Sequence, residues 1–312
     1  MPAFYAHKRF GWMVLKAIGG ETATVCEANR AAFELGLQGP DFLFYYQPWH
    51  RNAVAAYGVR LHQERAQLFF EQGIRTFRAW SETVDGNGFS QGVESDQPGF
   101  RQAAASAFKK PDGVLHGKAG AASAYFFGAF CHFVLDSSCH PYVNAFAQKS
   151  GVGHLEIEEE FEKFLLRRDG KPVFSFAASE DISLSPEIAC AAAVFYPELT
   201  LRQTREAIAS FRRYKRLLTA PDPLRQWLVN CILHIGGRYH EYNGLMLQRR
   251  DNPACRESNE VLWRKMQAAV SLACELSVKL KNSLRTGAAL PAYFDQNFEG
   301  NGPITGDSFT KT

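Results

Sequence analysis

A series of histidine and carboxylate side chains in the first half of the chain has the types and spacing of metal ligands. In the segment 130–142, His132, Asp136 and His140 recur every four residues. A step of four on an α-helix turns the side chain by only about 40°, so all three would lie along one stripe. His154 and Glu158 repeat the interval. Imidazole and carboxylate ligands without cysteine suit Zn²⁺ in a catalytic site rather than a closed structural one, so the pattern indicates a metallohydrolase.

Three further candidates precede this stripe. Asp41 follows Gly39 and Pro40, a turn-forming pair that presents its carboxylate from a loop, although an N-cap of a short helix is an alternative role. His62 falls in a helical pattern in which Gly58, one turn earlier, leaves room for a metal or another backbone. Periodicity alone says little about His7. The full candidate set is His7, Asp41, His62, His132, Asp136, His140, His154 and Glu158.

The strongest single argument for a metal comes from Asp136. It lies in a segment that is apolar nearly all round, and a buried carboxylate carries a large desolvation cost unless it is paired or binds a cation. A bound metal removes that cost. The alternative is a network of Asp–His hydrogen bonds within the core.

Hydrophobic periodicity predicts an all-α protein, a multi-helix bundle. The pattern around 118–139 is apolar nearly all round and predicts the buried central helix. Pro141 disfavours helical geometry at His140, which is therefore expected at the end of that helix. Helices are predicted near 4–18, 22–36, 52–80, 98–109, 118–139, 154–168, 184–196, 200–218, 223–248 and 257–285.

Composition is typical of an ordinary globular protein, with 312 residues, 46% of them apolar, and a formal charge of +3. The expected organisation is one domain over 1–286 and an extended or partly disordered tail over 287–312. The glycine-rich stretch 85–99 reads as a surface loop or a lid. The acidic residues beside Glu158 are expected on an exposed helix face. These residues are Glu156, Glu159, Glu160 and Glu162.

The chain shows no secretion signal and no apolar stretch long enough to span a membrane, so it is expected to be cytoplasmic. Its seven cysteines are widely spaced and fit reduced, buried thiols; Cys131 and Cys139 are assigned to packing. His50, His116, His234 and His240 lack partners at a ligand interval and are interpreted as structural or solvated.

The order and local spacing of the candidate ligands over residues 7–158 resemble the zinc-dependent phospholipase C superfamily, which also includes fungal single-strand nucleases. The opening and the segment 36–46 look closest to a bacterial branch of uncharacterised cytoplasmic proteins. The resemblance implies an all-α fold with two or three clustered Zn²⁺ ions. It places His62, His132, Asp136 and Asp41 on a first zinc, His140, His154 and Glu158 on a second, and Asp136 with His7 on a third.

The resemblance implies a zinc-dependent phosphodiesterase that acts on phospholipid headgroups or on a soluble phosphodiester. Asp41 would complete the first zinc or orient and deprotonate the attacking water. A nuclease or nucleotidase on the same metals is one alternative, to which only the basic helix at 202–216 points. A metal-stabilised scaffold without turnover is another. The aromatic run 42–46 beside Asp41 is interpreted as core packing, with a lipid- or base-binding rim as the alternative.

Overall fold

The computed structural model describes residues 4–85, 118–219, 222–237, 239 and 243–302. These residues form α-helices and short 3-10 turns and contain no β-strand, which confirms the predicted all-α fold. No helix in this part of the chain is both long and apolar enough to cross a membrane. The 3-10 turns are Asp41–Tyr45, Ala178–Asp181, Asn243–Leu245 and Ala292–Asp295. The helices are α1 Phe4–Ile18, α2 Gly20–Ala28, α3 Arg30–Gly36, α4 Ala53–Gln63, α5 Ala66–Asp85, α6 Lys118–Ser150, α7 His154–Arg168, α8 Pro186–Ala193, α9 Leu201–Leu218, α10 Pro223–Ile235 and α11 Cys255–Thr286.

Helix α6 lies at the centre of the bundle, as its sequence predicts. Tyr125, Phe130 and Phe133 are fully buried along it, and it packs against α3, α8 and α11. At the crossing with α3, Gly128 leaves no room for a side chain, since a Cβ there would lie 2.5 Å from the carbonyl oxygen of Phe33. This close crossing brings the chain that follows α3 directly onto the stripe of α6 that carries the candidate ligands.

The predicted helices 22–36 and 52–80 each prove to be two helices. Asn29 breaks the first, with φ −117° and ψ 41°, and its side-chain amide donates to the carbonyl of Val25. Glu64 breaks the second, with an extended ψ of 162°. Apolar periodicity continues across both breaks, so the pattern alone did not reveal them.

The predicted helix 223–248 is also shorter in the structure. It ends at Ile235 and is followed by Gly236 and by Gly237, which has a φ of +66° that favours glycine. The predicted helix 98–109 lies outside the described residues, as does the glycine-rich stretch after Asp85.

Pro141 does not end the central helix, which continues to Ser150. The expectation that His140 terminates it was wrong. A proline inside a helix lacks the amide that would bond four residues back, here to the carbonyl of Ser137. Gly300 lies against that carbonyl and the proline ring so closely that a Cβ would overlap both. Burial of Cys139 and Val143 on either side holds the helix through the proline.

The acidic residues after Glu158 are buried, not solvated. Glu159, Glu160 and Glu162 are each at most 5% exposed, and Glu156 is half-buried. Buried Lys163 explains part of this arrangement, because its Nζ lies 3.0 Å from Glu159 and 2.9 Å from Glu160. The prediction of an exposed face was therefore wrong, because a lysine of the same helix is buried with these carboxylates and pairs with them.

These carboxylates fasten other parts of the chain to α7. Glu159 accepts from the backbone amide of Gln248 at 2.7 Å, and Glu160 accepts from that of Asn252 at 2.6 Å. Glu162 accepts from the backbone amide of Tyr5 at 3.1 Å, which ties α7 to α1. Burial raises the pKa of Glu159 and of Glu162 to about 8 each, so Glu162 is largely protonated at neutral pH.

The segment after α11 returns to the bundle in its described part, 287–302. Phe294 and Phe298 are buried there, and Phe294 stacks on Phe133 of the central helix. The backbone carbonyl of Gln296 accepts from the amide of Ala66, which joins this segment to the start of α5. Residues 303–312 lie outside the described part of the chain.

All seven cysteines are among the described residues, and none of them forms a disulfide there. Cys131 and Cys139 are buried on α6, and burial raises the pKa of Cys139 to about 12. A thiol held protonated in this way packs as a small apolar group, which agrees with the packing role predicted from the sequence.

Candidate metal centre

Five structural elements bring all eight predicted ligands together. Helix α1 supplies the first of them, and the 3-10 turn after α3 begins with the second. The last turn of α4, the middle of α6 and the first turns of α7 supply the others. In chain order the residues are His7, Asp41, His62, His132, Asp136, His140, His154 and Glu158.

The side chains form three groups in which the ligand atoms lie within 4.8 Å of one another. The groups are His7, His132 and Asp136; Asp41, His62 and His132; and His140, His154 and Glu158. His132 belongs to two of them, so these two groups share a side chain and form one cluster.

Asp136 lies between the groups and is their central carboxylate. One oxygen lies 3.1 Å from His7 Nε2 and 3.9 Å from His140 Nε2, and the other lies 3.1 Å from His132 Nε2. The resemblance implies that Asp136 contributes both to a first zinc, with His62, His132 and Asp41, and to a third, with His7. In the structure Asp41 lies 2.9 Å from His62, and Asp136 groups with His7 and His132.

Backbone carbonyls fix three imidazole rings so that Nε2 points into the cluster. The Nδ1–H of His62 donates to Gly58 at 2.8 Å, that of His132 to Leu37 at 3.1 Å, and that of His140 to the Phe298 carbonyl at 3.2 Å. A carbonyl oxygen only accepts, so Nδ1 carries the proton. In the neutral ring Nε2 then has its lone pair available, which is the arrangement that metal-binding histidines use.

Several buried polar atoms of the cluster lack a hydrogen-bond partner among the described residues. They are His7 Nδ1, Glu158 Oε2, and the pair His132 Nε2 and Asp136 Oδ2, which face each other at 3.1 Å as two acceptors when Nδ1 carries the His132 proton. These residues are at most 4% exposed, and a buried polar atom without a hydrogen bond is costly. Nitrogen and carboxylate oxygen atoms left in this state fit a bound cation such as Zn²⁺.

The electrostatics of the cluster also suit a cation. Burial opposes ionisation of Asp136, yet His132, His140 and His7 hold the pKa of its carboxyl well below the usual range. Burial likewise opposes ionisation of Glu158, but its hydrogen bonds with His140 and His154 lower the pKa of its carboxyl to about 2. The carboxylates are therefore ionised at neutral pH.

Neighbouring carboxylates raise the pKa of the histidines that they surround. Burial alone would lower the pKa of His140, but Asp136 and Glu158 raise it to about 10. His7 differs, because burial and the neighbouring His132 lower its pKa. A metal that binds here must displace protons from histidines, so its affinity weakens as the pH falls.

Gly39 shapes the cradle around His132. It has a φ of +51°, and a Cβ at this position would overlap the imidazole ring of His132. The same short segment contributes the Leu37 carbonyl that orients His132 and then Asp41 itself. The segment 37–41 therefore sets both a ligand's orientation and a ligand's position.

We expect Gly39→Ala to lower the zinc content and the melting temperature, because the added methyl group displaces His132. Gly19→Ala is the matched control, since Gly19 has a φ of +59° and no described atom within 4 Å of a Cβ. Gly170→Ala is a second control, since Gly170 has a φ of +64° and likewise no described atom within 4 Å of a Cβ, whereas the ψ of −159° at Gly19 makes an alanine there at least as strained. Zinc content and melting temperature of the variants show whether the contact with His132 has an effect beyond that of an alanine at positive φ. Equal zinc content in Gly39→Ala and the controls would show that the overlap with His132 has no effect.

Sequence reasoning missed three residues that border the cluster. The ring of Phe298 lies 5.2 Å from that of His62, and its carbonyl holds His140. Glu299 places an oxygen 3.4 Å from His140 Nδ1. Asn144 accepts from His154 Nδ1 at 2.9 Å. Asn144 could have been found from its step of four after His140, but no local signal marks 298 and 299.

Access to the cluster lies beside His154. Its side chain is 31% exposed, whereas the other seven predicted ligands are nearly fully buried. The side chain of Glu299, next to His140, is 32% exposed.

His50 and His234 are exposed and lie in none of the groups, as predicted, while His116 and His240 lie outside the described residues. In the aromatic run 42–46, Phe42 and Tyr45 are buried, which confirms the predicted core packing for these two residues.

The sequence matches a family model described as zinc dependent phospholipase C over residues 6–216. This range covers more than half of the chain, contains all eight candidate ligands and ends within α9. No curated protein matches the chain, and no solved structure does.

Proposed function

Because the chain belongs to the zinc-dependent phospholipase C family, we propose that it hydrolyses a phosphodiester at a centre of two to three Zn²⁺ ions. The observation that carries the proposal is the central position of Asp136, whose oxygens lie 3.1 Å from His7, 3.1 Å from His132 and 3.9 Å from His140. Ligand groups this close together would hold metals close together, which is the arrangement of multi-metal hydrolases of phosphate esters.

Zinc bound in this centre would supply Lewis acidity, polarising a phosphoryl oxygen and lowering the pKa of a nucleophilic water. The protein supplies the rest. His62, His132 and His140 keep their rings oriented through backbone carbonyls, so the ligand geometry is set before substrate arrives. Burial of Asp136 and Glu158 excludes bulk water from the charges that the centre uses.

Asp41 is proposed as the residue that orients the attacking water and takes its proton. Burial opposes its ionisation, but the neighbouring imidazoles of His132 and His62 hold the pKa of its carboxyl below the usual range. It is therefore ionised, as a proton acceptor must be. It also starts a 3-10 turn that packs against α9 and α4, which fixes its position.

The substrate enters beside His154, where the centre is exposed. A phosphodiester presents an anion there, and the proposed substrates are phospholipid headgroups and soluble phosphodiesters. The exposed Glu299 disfavours a second anionic group close to His140. Single-stranded nucleic acid carries such groups along its whole length, so phospholipids and small diesters are preferred.

The proposal is tested by metal analysis and a substrate panel on the same preparation, purified without a chelating tag. We expect two to three zinc ions per chain and hydrolysis of phosphatidylcholine or a chromogenic phosphodiester that a chelator abolishes and zinc restores. Single-stranded DNA serves as the comparison substrate. A protein that takes up no zinc, or a zinc-loaded protein that cleaves none of these diesters, would overturn the proposal.

A further inference from the structure

Helix α10, Pro223–Ile235, leaves a row of large apolar side chains exposed. On its inward side, beside the half-buried Val229 and Leu233, Gln226 is 7% exposed and donates to the Leu247 carbonyl at 2.9 Å, and Asn230 donates to the Gln248 side chain at 3.0 Å. A helix on the surface of a water-soluble protein normally buries its apolar side. Hydrogen bonds fasten this side of α10 to residues 247 and 248.

The outward side of α10 is apolar. At 100° per residue the exposed apolar side chains span an arc of about 140°, centred opposite Gln226. The helix contains no acidic residue, and its polar Arg225 and His234 lie at the two borders of this arc. The exposed apolar side chains are Leu224, Trp227, Leu228, Ile232 and Ile235, and together they are called the α10 face. Their exposed fractions range from 48% for Leu228 to 89% for Ile235.

Positive charge lies beside the N-terminal end of the α10 face. The segment 207–235 contains five basic residues and one acidic residue. Arg213 and Arg216 are exposed on α9, and Arg225 donates to the carbonyl of Arg216 at 2.9 Å, which joins the basic end of α9 to the start of α10. An apolar stripe with a tryptophan at its edge and arginines beside it has the composition of a helix that lies in a membrane interface.

We propose that the α10 face docks the protein on an anionic phospholipid surface. The helix of 13 residues is about 20 Å long and too short to span a bilayer, so it lies flat with its apolar side chains among the acyl chains. Arg213, Arg216 and Arg225 contact the anionic headgroups. The family match ends at residue 216, before this helix begins, so the docking is a property separate from the hydrolytic centre.

The charge distribution favours a lipid surface over a second copy of the chain. In a twofold dimer each α10 face would meet its own copy, which brings the arginines of both chains together with Asp222 as the single acidic residue of each segment 207–235. Anionic lipids supply the opposite charge, whereas a second copy adds more of the same charge.

The test is co-sedimentation of the full-length zinc-loaded protein with vesicles of phosphatidylcholine alone or with phosphatidylserine. We expect binding to the anionic vesicles that weakens as the salt concentration rises. Ile232→Glu should reduce the partition coefficient by about tenfold or more, since a charge replaces an inserted apolar side chain. Ile235→Glu, at the most exposed position, should act in the same direction.

Val278→Glu on α11 is the matched control, because Val278 and Ile232 are both β-branched and both 68% exposed. It should bind vesicles as the wild type does. Zinc content and melting temperature establish that each variant is folded, and sedimentation needs no turnover, so the result stands apart from any result on hydrolysis. Wild-type protein that stays in solution, or equal binding by Ile232→Glu and Val278→Glu, overturns the proposal. A wild-type dimer that Ile232→Glu dissociates would identify a second copy as the occupant and also overturn it.

Discussion

Asp136→Asn is expected to remove most of the zinc, lower activity by at least about a hundredfold and lower the melting temperature. Asp136 is 1% exposed and has an oxygen within 3.1 Å of His7 and of His132 and within 3.9 Å of His140. An amide keeps the shape of this side chain but removes the negative charge that holds the cations among neutral imidazoles. Metal affinity for the folded state is also folding free energy, so both quantities should fall together.

Glu162→Gln is the matched control for this variant. Glu162 is a buried carboxyl on the neighbouring helix α7, belongs to none of the ligand groups and has a pKa of about 8. Glutamine resembles its protonated form and keeps an oxygen for the amide of Tyr5. Zinc content should therefore stay at the wild-type value in Glu162→Gln. Asp136 would be excluded from the centre if Asp136→Asn kept both its zinc and its melting temperature.

The sequence allowed the ligand residues to be predicted because the helical period is a local property. His132, Asp136 and His140 share a stripe of α6 whatever the rest of the chain does. Their grouping was not predictable in the same way. It depends on α1 reaching α6 so that the rings of His7 and His132 stack at 4.3 Å, which is a contact between residues far apart in the chain. Helical periodicity therefore predicts the stripe on α6, whereas the expectation that Asp136 and His7 lie together came from the resemblance.

The two wrong predictions, for Pro141 and for the glutamates of α7, also concern contacts between residues far apart in the chain. A proline predicts a helix end from local sterics, yet Pro141 stays inside α6, where Gly300 of a distant segment packs against it. The glutamates of α7 have the local pattern of a solvated face, yet the segment near residue 250 lies over them, and its Gln248 and Asn252 amides donate to Glu159 and Glu160. In both places a partner from far along the chain outweighs a local preference. Phe298, which holds His140 through its carbonyl, was not predicted for the same reason.

Asp41→Asn is expected to separate zinc binding from turnover. Asparagine keeps the size of the side chain and one oxygen, and Asp41 belongs to one of the three ligand groups. Most of the zinc should therefore remain. Loss of the proton acceptor should lower kcat by about 100-fold to 10,000-fold, with a smaller change in KM. Zinc content, kcat and KM are measured on one preparation with the diester that the wild type cleaves fastest.

Glu158→Gln gives the contrast that identifies the role of Asp41. Glu158 has its oxygen 3.0 Å from His154 and 3.3 Å from His140, so its loss should remove zinc from that group and lower activity through the metal. If Asp41→Asn retains zinc and loses turnover while Glu158→Gln loses both, Asp41 acts on the water or the substrate. An equal loss of zinc in the two variants makes Asp41 a ligand, and normal turnover in Asp41→Asn removes it from catalysis. Both carboxylates are buried and lie within hydrogen-bond distance of a histidine, so the two substitutions should affect stability to a similar extent. A difference in zinc content or turnover between the two variants therefore reflects their different roles.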